Sequence, residues 1–219
     1  VIFLRRGADK PAWVIPRKME GHQRLNLHDW APVSTVNGPG RRAVIWLQGC
    51  RFHCPGCFNP ETHDLAPRRL VTPEELWEWV KDVTDLEGIT ISGGEPLLQA
   101  APLADFLRLV RRQSSLSIIL YSGYTLRQIQ HLPFGAEVLS LLDVLIDGLF
   151  ERDHLAHDGI RGSTNQQIHF LTDRYTLADF TPRQRCEFLI QPDGAVVHTG
   201  VSVMPAPAVS SPSPPRPPS

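Results

Sequence analysis

Methionine, tyrosine and cysteine are scarce in this 219-residue chain: two, three and four residues respectively. Four cysteines make a poor disulfide framework at this length, and three of them crowd into positions 50–57. A small secreted scaffold stapled by disulfides is therefore excluded, and a metal-binding cluster in a reducing, cytoplasmic setting is the better reading. No apolar run is long enough to span a bilayer. The opening Val1-Ile2-Phe3-Leu4 run is too short for a signal sequence and is broken by Arg5-Arg6, so neither a membrane nor a secretory segment is read here. A chain opening at Val1 fits a fragment or an unusual start codon. Charge of one sign is also missing. With 22 basic against 23 acidic residues the net charge is −1, which removes any general attraction to nucleic acid or acidic membranes.

What is present is an ordinary globular balance, 42% apolar and 21% charged, in a chain long enough for one good-sized core. Residues 1–23 read as a poorly specified lead-in, 24–204 as the core domain, and the Pro/Ser-rich 205–219 as a disordered tail. Arg24–Trp30 alternates as a strand does. The Gly38-Pro39-Gly40 turn leads to Arg41–Gly49, whose Ala43–Leu47 run suits a strand buried on both faces. Thr72-Pro73-Glu74-Glu75 opens a helix with a capping box, and Leu76, Trp79, Val80 and Val83 share one face. Ile89–Ile91 reads as a strand, Leu97–Arg112 as a helix, Ser117–Tyr121 as a strand, Thr125–His131 as a short helix and Leu141–Ile146 as a buried strand. That alternation predicts parallel strands with helical crossovers. Further on, Cys186–Ile190 and Ala195–Thr199 flank Gln191-Pro192-Asp193-Gly194 as a hairpin.

Chemistry concentrates in Cys50-Arg51-Phe52-His53-Cys54-Pro55-Gly56-Cys57, a C-x3-C-x2-C spacing. Three thiolates this close can hold three corners of an iron–sulfur cubane, leaving one iron open. A structural zinc site with Cys186, His53 or His63 as fourth ligand satisfies the same spacing. The cysteines alone leave both readings standing. One βα unit later comes Gly93-Gly94-Glu95-Pro96, at the end of a strand. Its glycines permit close backbone approach to a ligand, and its acid suits a cationic amino group.

Together these motifs resemble the radical S-adenosylmethionine superfamily. The block Asn37–Thr62 narrows the likeness to activators of anaerobic ribonucleotide reductase and related glycyl radical enzymes. So do Ile91–Gln99 (ISGGEPLLQ), Tyr121–Thr125 (YSGYT), Asp143–Glu151 (DVLIDGLFE) and Arg161–Gln166 (RGSTNQ). The likeness implies an α/β fold, an incomplete open (βα)6 TIM-like barrel with about six parallel strands. It implies a [4Fe–4S] cluster on Cys50, Cys54 and Cys57, with S-adenosylmethionine bound by Gly93, Gly94, Glu95 and Pro96. Ser122, Gly123, Tyr124, Asp147 and Asn165 are further candidates for contact with it. Asp147 and the polar Arg161–Gln166 loop also have plain readings as a cap and a solvated rim. The implied reaction is reductive cleavage of the cofactor to a 5′-deoxyadenosyl radical, with no side chain needed as a general base. That radical would place a glycyl radical on a partner enzyme, with electrons from a donor such as flavodoxin or ferredoxin. A radical enzyme acting on a small molecule or peptide, and a zinc-binding interaction protein, are the alternatives.

Overall fold

An apolar run with no polar face must be covered on both sides. In a computed structural model, which describes residues 24–180, 186–190 and 196–200, the run lies at the centre of a seven-stranded sheet. The chain forms β1 (Leu25–Ser34), β2 (Arg42–Leu47), β3 (Arg69–Val71), α1 (Pro73–Lys81), β4 (Gly88–Gly93), α2 (Ala100–Gln113), β5 (Ser117–Ser122), α3 (Leu126–Ile129), α4 (Gly135–Ser140), β6 (Val144–Asp147) and β7 (Gln167–Phe170). The sheet order is β3-β1-β2-β4-β5-β6-β7. Every residue of β2 is buried.

Strands β2, β4, β5 and β6 are mutually parallel, giving four parallel strands among the described residues. The flanking strands run the other way because their connections lack a helical crossover. β1 meets β2 through the short turn around Gly38-Pro39-Gly40, and the link from β6 to β7 contains only a 3₁₀ turn at Arg152–His154. A separate ribbon pairs β8 (Cys186–Ile190) with β9 (Val196–Gly200) antiparallel, as the hairpin reading requires. The lead-in, the hairpin's turn and the Pro-rich tail lie outside the described residues.

Side-chain alternation splits β2 between two environments. Ala43, Ile45 and Leu47 join the large core beneath the helices, while Val44 and Trp46 turn to the other face with Ala31 of β1. Thr72 caps α1 in a full capping box with Glu75, as its sequence predicts. Trp77 rather than Trp79 is buried alongside Leu76 and Val80. Trp79 instead lies 5.9 Å from Trp30, with the Arg69 guanidinium over its ring. The helix expected over Leu97–Arg112 begins as a 3₁₀ turn at Pro96–Gln99. There Gln99 donates to the carbonyls of Asn26 and Gln48 and accepts from the Asn26 amide.

At the N-terminal end of the sheet lies Arg42, fully buried. Its guanidinium donates to Thr90 Oγ1, Ser117 Oγ and the carbonyls of Pro39, Ile89 and Ser117. Gly88 makes the room: a Cβ there would stand 2.4 Å from Arg42 Nη1. Burial lowers the arginine's pKa, and neutral dipoles take the role a carboxylate would otherwise play. Replacing Arg42 with Met is expected to cost about 3 kcal/mol or more, since it orphans several buried acceptors at once. Urea unfolding of the two proteins measures that difference.

Candidate metal centre

Of the parallel strands, β2, β4 and β5 end on the same side of the sheet, and the chemistry-bearing loops leave from those ends. The cysteine loop follows β2 and is pinned where it starts and returns. The Gly49 amide donates to the Thr62 carbonyl at 2.8 Å, and Cys50 donates to the His63 carbonyl at 3.2 Å. Within the loop a tight turn brings the Cys57 amide onto the Cys54 carbonyl, with Gly56 in the left-handed region at φ +72°. Only glycine takes that conformation freely.

Cys50 is buried, Cys54 and Cys57 are half-buried, and all three are free thiols. Burial pushes the Cys50 and Cys57 thiols above their ordinary pKa, so metal capture there must release protons. The three line a single cavity of about 1080 Å³ together with Gly93, Gly94 and Glu95. Among the described residues no three His, Cys, Asp or Glu side chains converge tightly enough for a single metal ion. Three free thiols lining one large cavity suit the thiolate ligands of an iron–sulfur cluster. Of the candidate fourth zinc ligands, His63 lines the same cavity with its buried Nε2 unpartnered, and His53 faces it, Nδ1 to Nδ1 at 3.2 Å. Cys186 lies in the β8–β9 ribbon and is not part of the lining.

The Gly-Gly-Glu segment lies flat against the start of the cysteine loop. The Gly94 amide donates to the Leu47 carbonyl and the Glu95 amide to the Gly49 carbonyl, both at 2.8 Å. A Cβ on Gly94 would be 2.3 Å from the Gly49 oxygen, and one on Gly93 (φ +103°) 2.5 Å from backbone atoms of Leu47. These glycines are thus demanded by the packing of β4 on β2. Glu95 is buried and both its carboxylate oxygens are engaged: Oε1 accepts from the Leu97 amide and Ser122 Oγ, and Oε2 from the Gly123 amide. Burial outweighs these three donors and raises its pKa to about 7.

Ser122 and Gly123 line the cavity. Gly123 also lets the Phe52 ring approach, since a Cβ would lie 2.6 Å from it. Tyr124 packs edge-on against the same ring at 4.8 Å, and Pro96 is buried in the 3₁₀ turn. Neither is part of the lining. Asp147 is buried and accepts from the Leu126 amide, so it serves the start of α3. Asn165 donates to the Leu149 carbonyl, leaving its buried Oδ1 without a partner. From the same polar segment Gln166 does line the cavity, holding the Gly148 carbonyl and the Gly162 and Ser163 amides.

Several contributors have no signature in the sequence. Phe58 meets Phe150 at the rim, 4.8 Å between rings. Gln48, buried just ahead of the cysteines, donates to the carbonyls of Glu61 and Asp64 and so holds the loop's return. Both depend on contacts distant in sequence. The apolar-then-polar step from Leu47 to Gln48, at the very end of a buried strand, is the one local hint.

A profile of the 4Fe-4S single cluster domain matches residues 36–169. An anaerobic ribonucleoside-triphosphate reductase-activating protein of Vibrio cholerae serotype O1 is 35% identical over 158 residues, covering 68% of this chain and 99% of the relative. The chain belongs to this family of activating proteins. Relatives of the same name in Escherichia coli K12 (34% identical, 67% of this chain and 99% of the relative) and Enterobacteria phage T4 (32%, 68% and 96%) span the same breadth. The 4Fe-4S profile of these activating proteins covers the cysteine loop, the Gly-Gly-Glu segment and the Asn165–Gln166 turn alike. Among the described residues no helix is long and apolar enough to cross a membrane.

Two outcomes test this geometry. Gly94→Ala forces its methyl into the Gly49 carbonyl, so it should lose about 1–3 kcal/mol in urea unfolding and bind less iron. For Glu95, a folded pKa raised from 4.5 to about 7 means its contribution is full below 4.5 and is lost as pH rises through 7. Wild-type protein should therefore lose stability relative to Glu95→Gln across that window, read from paired urea midpoints at several pH values. A difference that does not change with pH would remove the titration from Glu95.

Proposed function

We propose that this chain holds a [4Fe–4S] cluster on Cys50, Cys54 and Cys57. In this reading it cleaves S-adenosylmethionine reductively to install a glycyl radical on an anaerobic ribonucleoside-triphosphate reductase. The observation that carries the proposal is the convergence of three free cysteines and the Gly93–Glu95 strand end on one large cavity. The names of the relatives support the partner. On the same grounds the sheet is proposed to be the wall of an incomplete radical S-adenosylmethionine barrel, its parallel strands β2, β4, β5 and β6 presenting their C-terminal ends to the cofactors. Flavodoxin or ferredoxin is proposed as the electron donor, and the cytoplasm as the site of action.

The chemistry supplied by the bound cofactors is one-electron reduction of the sulfonium, breaking the sulfur–C5′ bond to give methionine and a 5′-deoxyadenosyl radical that takes a hydrogen atom from glycine. The chain's own part is placement. Cys50, Cys54 and Cys57 lose their protons to become ligands. The backbone of Gly93 and Gly94, free of side chains, is proposed to offer carbonyl oxygens to the cofactor's amino group. Glu95 fixes that backbone against the Ser122-Gly123 turn, which lines the same space. Phe52, Phe58 and Phe150 give part of the cavity lining apolar character that excludes water.

Anaerobic reconstitution should yield brown protein with about four iron per chain, and replacing any one of the three cysteines with Ala should abolish cofactor cleavage. Mixed with the reductase, the reduced enzyme should produce a glycyl radical visible by electron paramagnetic resonance. Colourless protein with one bound zinc would overturn the proposal. Cleavage without a protein radical would transfer it to a small-molecule or peptide substrate.

A further inference from the structure

His28 lines the cavity from β1, the strand beside β2 on the side away from β4. Its position is irregular by construction. Leu27 pairs with Leu47 and Asp29 with Trp46, so β1 carries one extra residue at His28. A bulge of this kind re-aims a side chain at the expense of ladder regularity, and bulges concentrate beside functional sites.

The chemical form of the imidazole is fixed by its neighbour. Gln48 turns its Nε2 to two carbonyls, those of Glu61 and Asp64, which can only accept. Its Oε1 therefore faces His28 Nδ1, at 2.7 Å. An amide oxygen cannot donate, so Nδ1 carries the proton. In the neutral ring Nε2 is then a bare acceptor, and no described residue hydrogen-bonds to it. Asp29 beside it commits one carboxylate oxygen to the Trp30 amide. This wall of the cavity offers acceptors and calls for N–H donors.

Sheet order says which reactant brings them. Gly93–Glu95, Ser122–Gly123 and Gly148 stand at the ends of β4, β5 and β6, on one side of the cysteine loop. His28 and Asp29 stand on the other side, and Thr199 and Gly200 of the β8–β9 ribbon share the lining, tied down by the Asn37 Nδ2 bond to Thr199 Oγ1. The cofactor side and the His28 side are thus separated by the cysteines. Resting on the function proposed above, we propose that His28 is a partner-binding residue, its Nε2 accepting a backbone N–H of the glycine-bearing segment.

Two substitutions separate this role from a structural one. In His28→Asn the side-chain amide can still donate to Gln48 Oε1, but nothing replaces Nε2. His28→Gln loses the Nδ1 donor and reaches the Nε2 position with an amide that can present its oxygen. With reconstituted enzyme and the anaerobic reductase, Asn is expected to raise the KM for the reductase about tenfold, and Gln to restore most of it. Cofactor cleavage under dithionite without the reductase should stay at the wild-type rate in both. Wild-type protein that cleaves no cofactor overturns the proposed function and this role together. An active wild type overturns His28 alone if the Asn variant keeps its KM. It does so equally if that variant slows partner-free cleavage in parallel, which would make His28 a cofactor contact.

Discussion

The contact between Gly94 and Gly49 is the constraint on which the site rests. At that distance no side chain fits between the end of β4 and the root of the cysteine loop. Two backbone hydrogen bonds close the seam, and Glu95 extends it sideways by gripping Ser122 and Gly123 at the end of β5. Three successive strand ends are thereby held in one frame. The root of the cysteine loop inherits its placement from that frame, while the turn from Cys54 to Cys57 is shaped within the loop.

This casts the Gly-Gly-Glu motif differently from a ligand-binding patch alone. Its acid, read from sequence as a receiver for a cationic group, is buried and accepts from three protein donors. The glycines are shaped by strand packing. What remains to face the cavity is backbone, which suits a ligand whose groups need a fixed, unhindered edge.

Much of the scaffold was legible in the sequence because it is governed by short-range rules. The capping box at Thr72, the doubly buried Ala43–Leu47 run and the Cys186/Val196 ribbon all appear where local pattern puts them. The strand β7 and the helix α4 were not. β7 is a four-residue stretch with exposed ends and no clean alternation, formed only because β6 offers an edge. α4 starts from Phe134 in the left-handed region, a conformation that no propensity favours. Within the site, the cysteines and the glycines announced themselves through spacing. His28 and Gln48 did not, since their roles come from a bulge and a pair of carbonyls more than ten residues away. Asp147, whose sequence position permitted a cap or a cofactor contact, accepts from the Leu126 amide beside the Thr125 cap.

The paired amides of Gly49 and Cys50 close the twelve-residue span to Thr62 and His63 with the chain's own hydrogen bonds. Those bonds offset part of the entropy of closing the loop. Small metal-built modules collapse when stripped, because ion capture and chain ordering are one event in them. Here two backbone hydrogen bonds close the loop through atoms that no metal would use, so loop closure and cluster ligation draw on different groups of the chain.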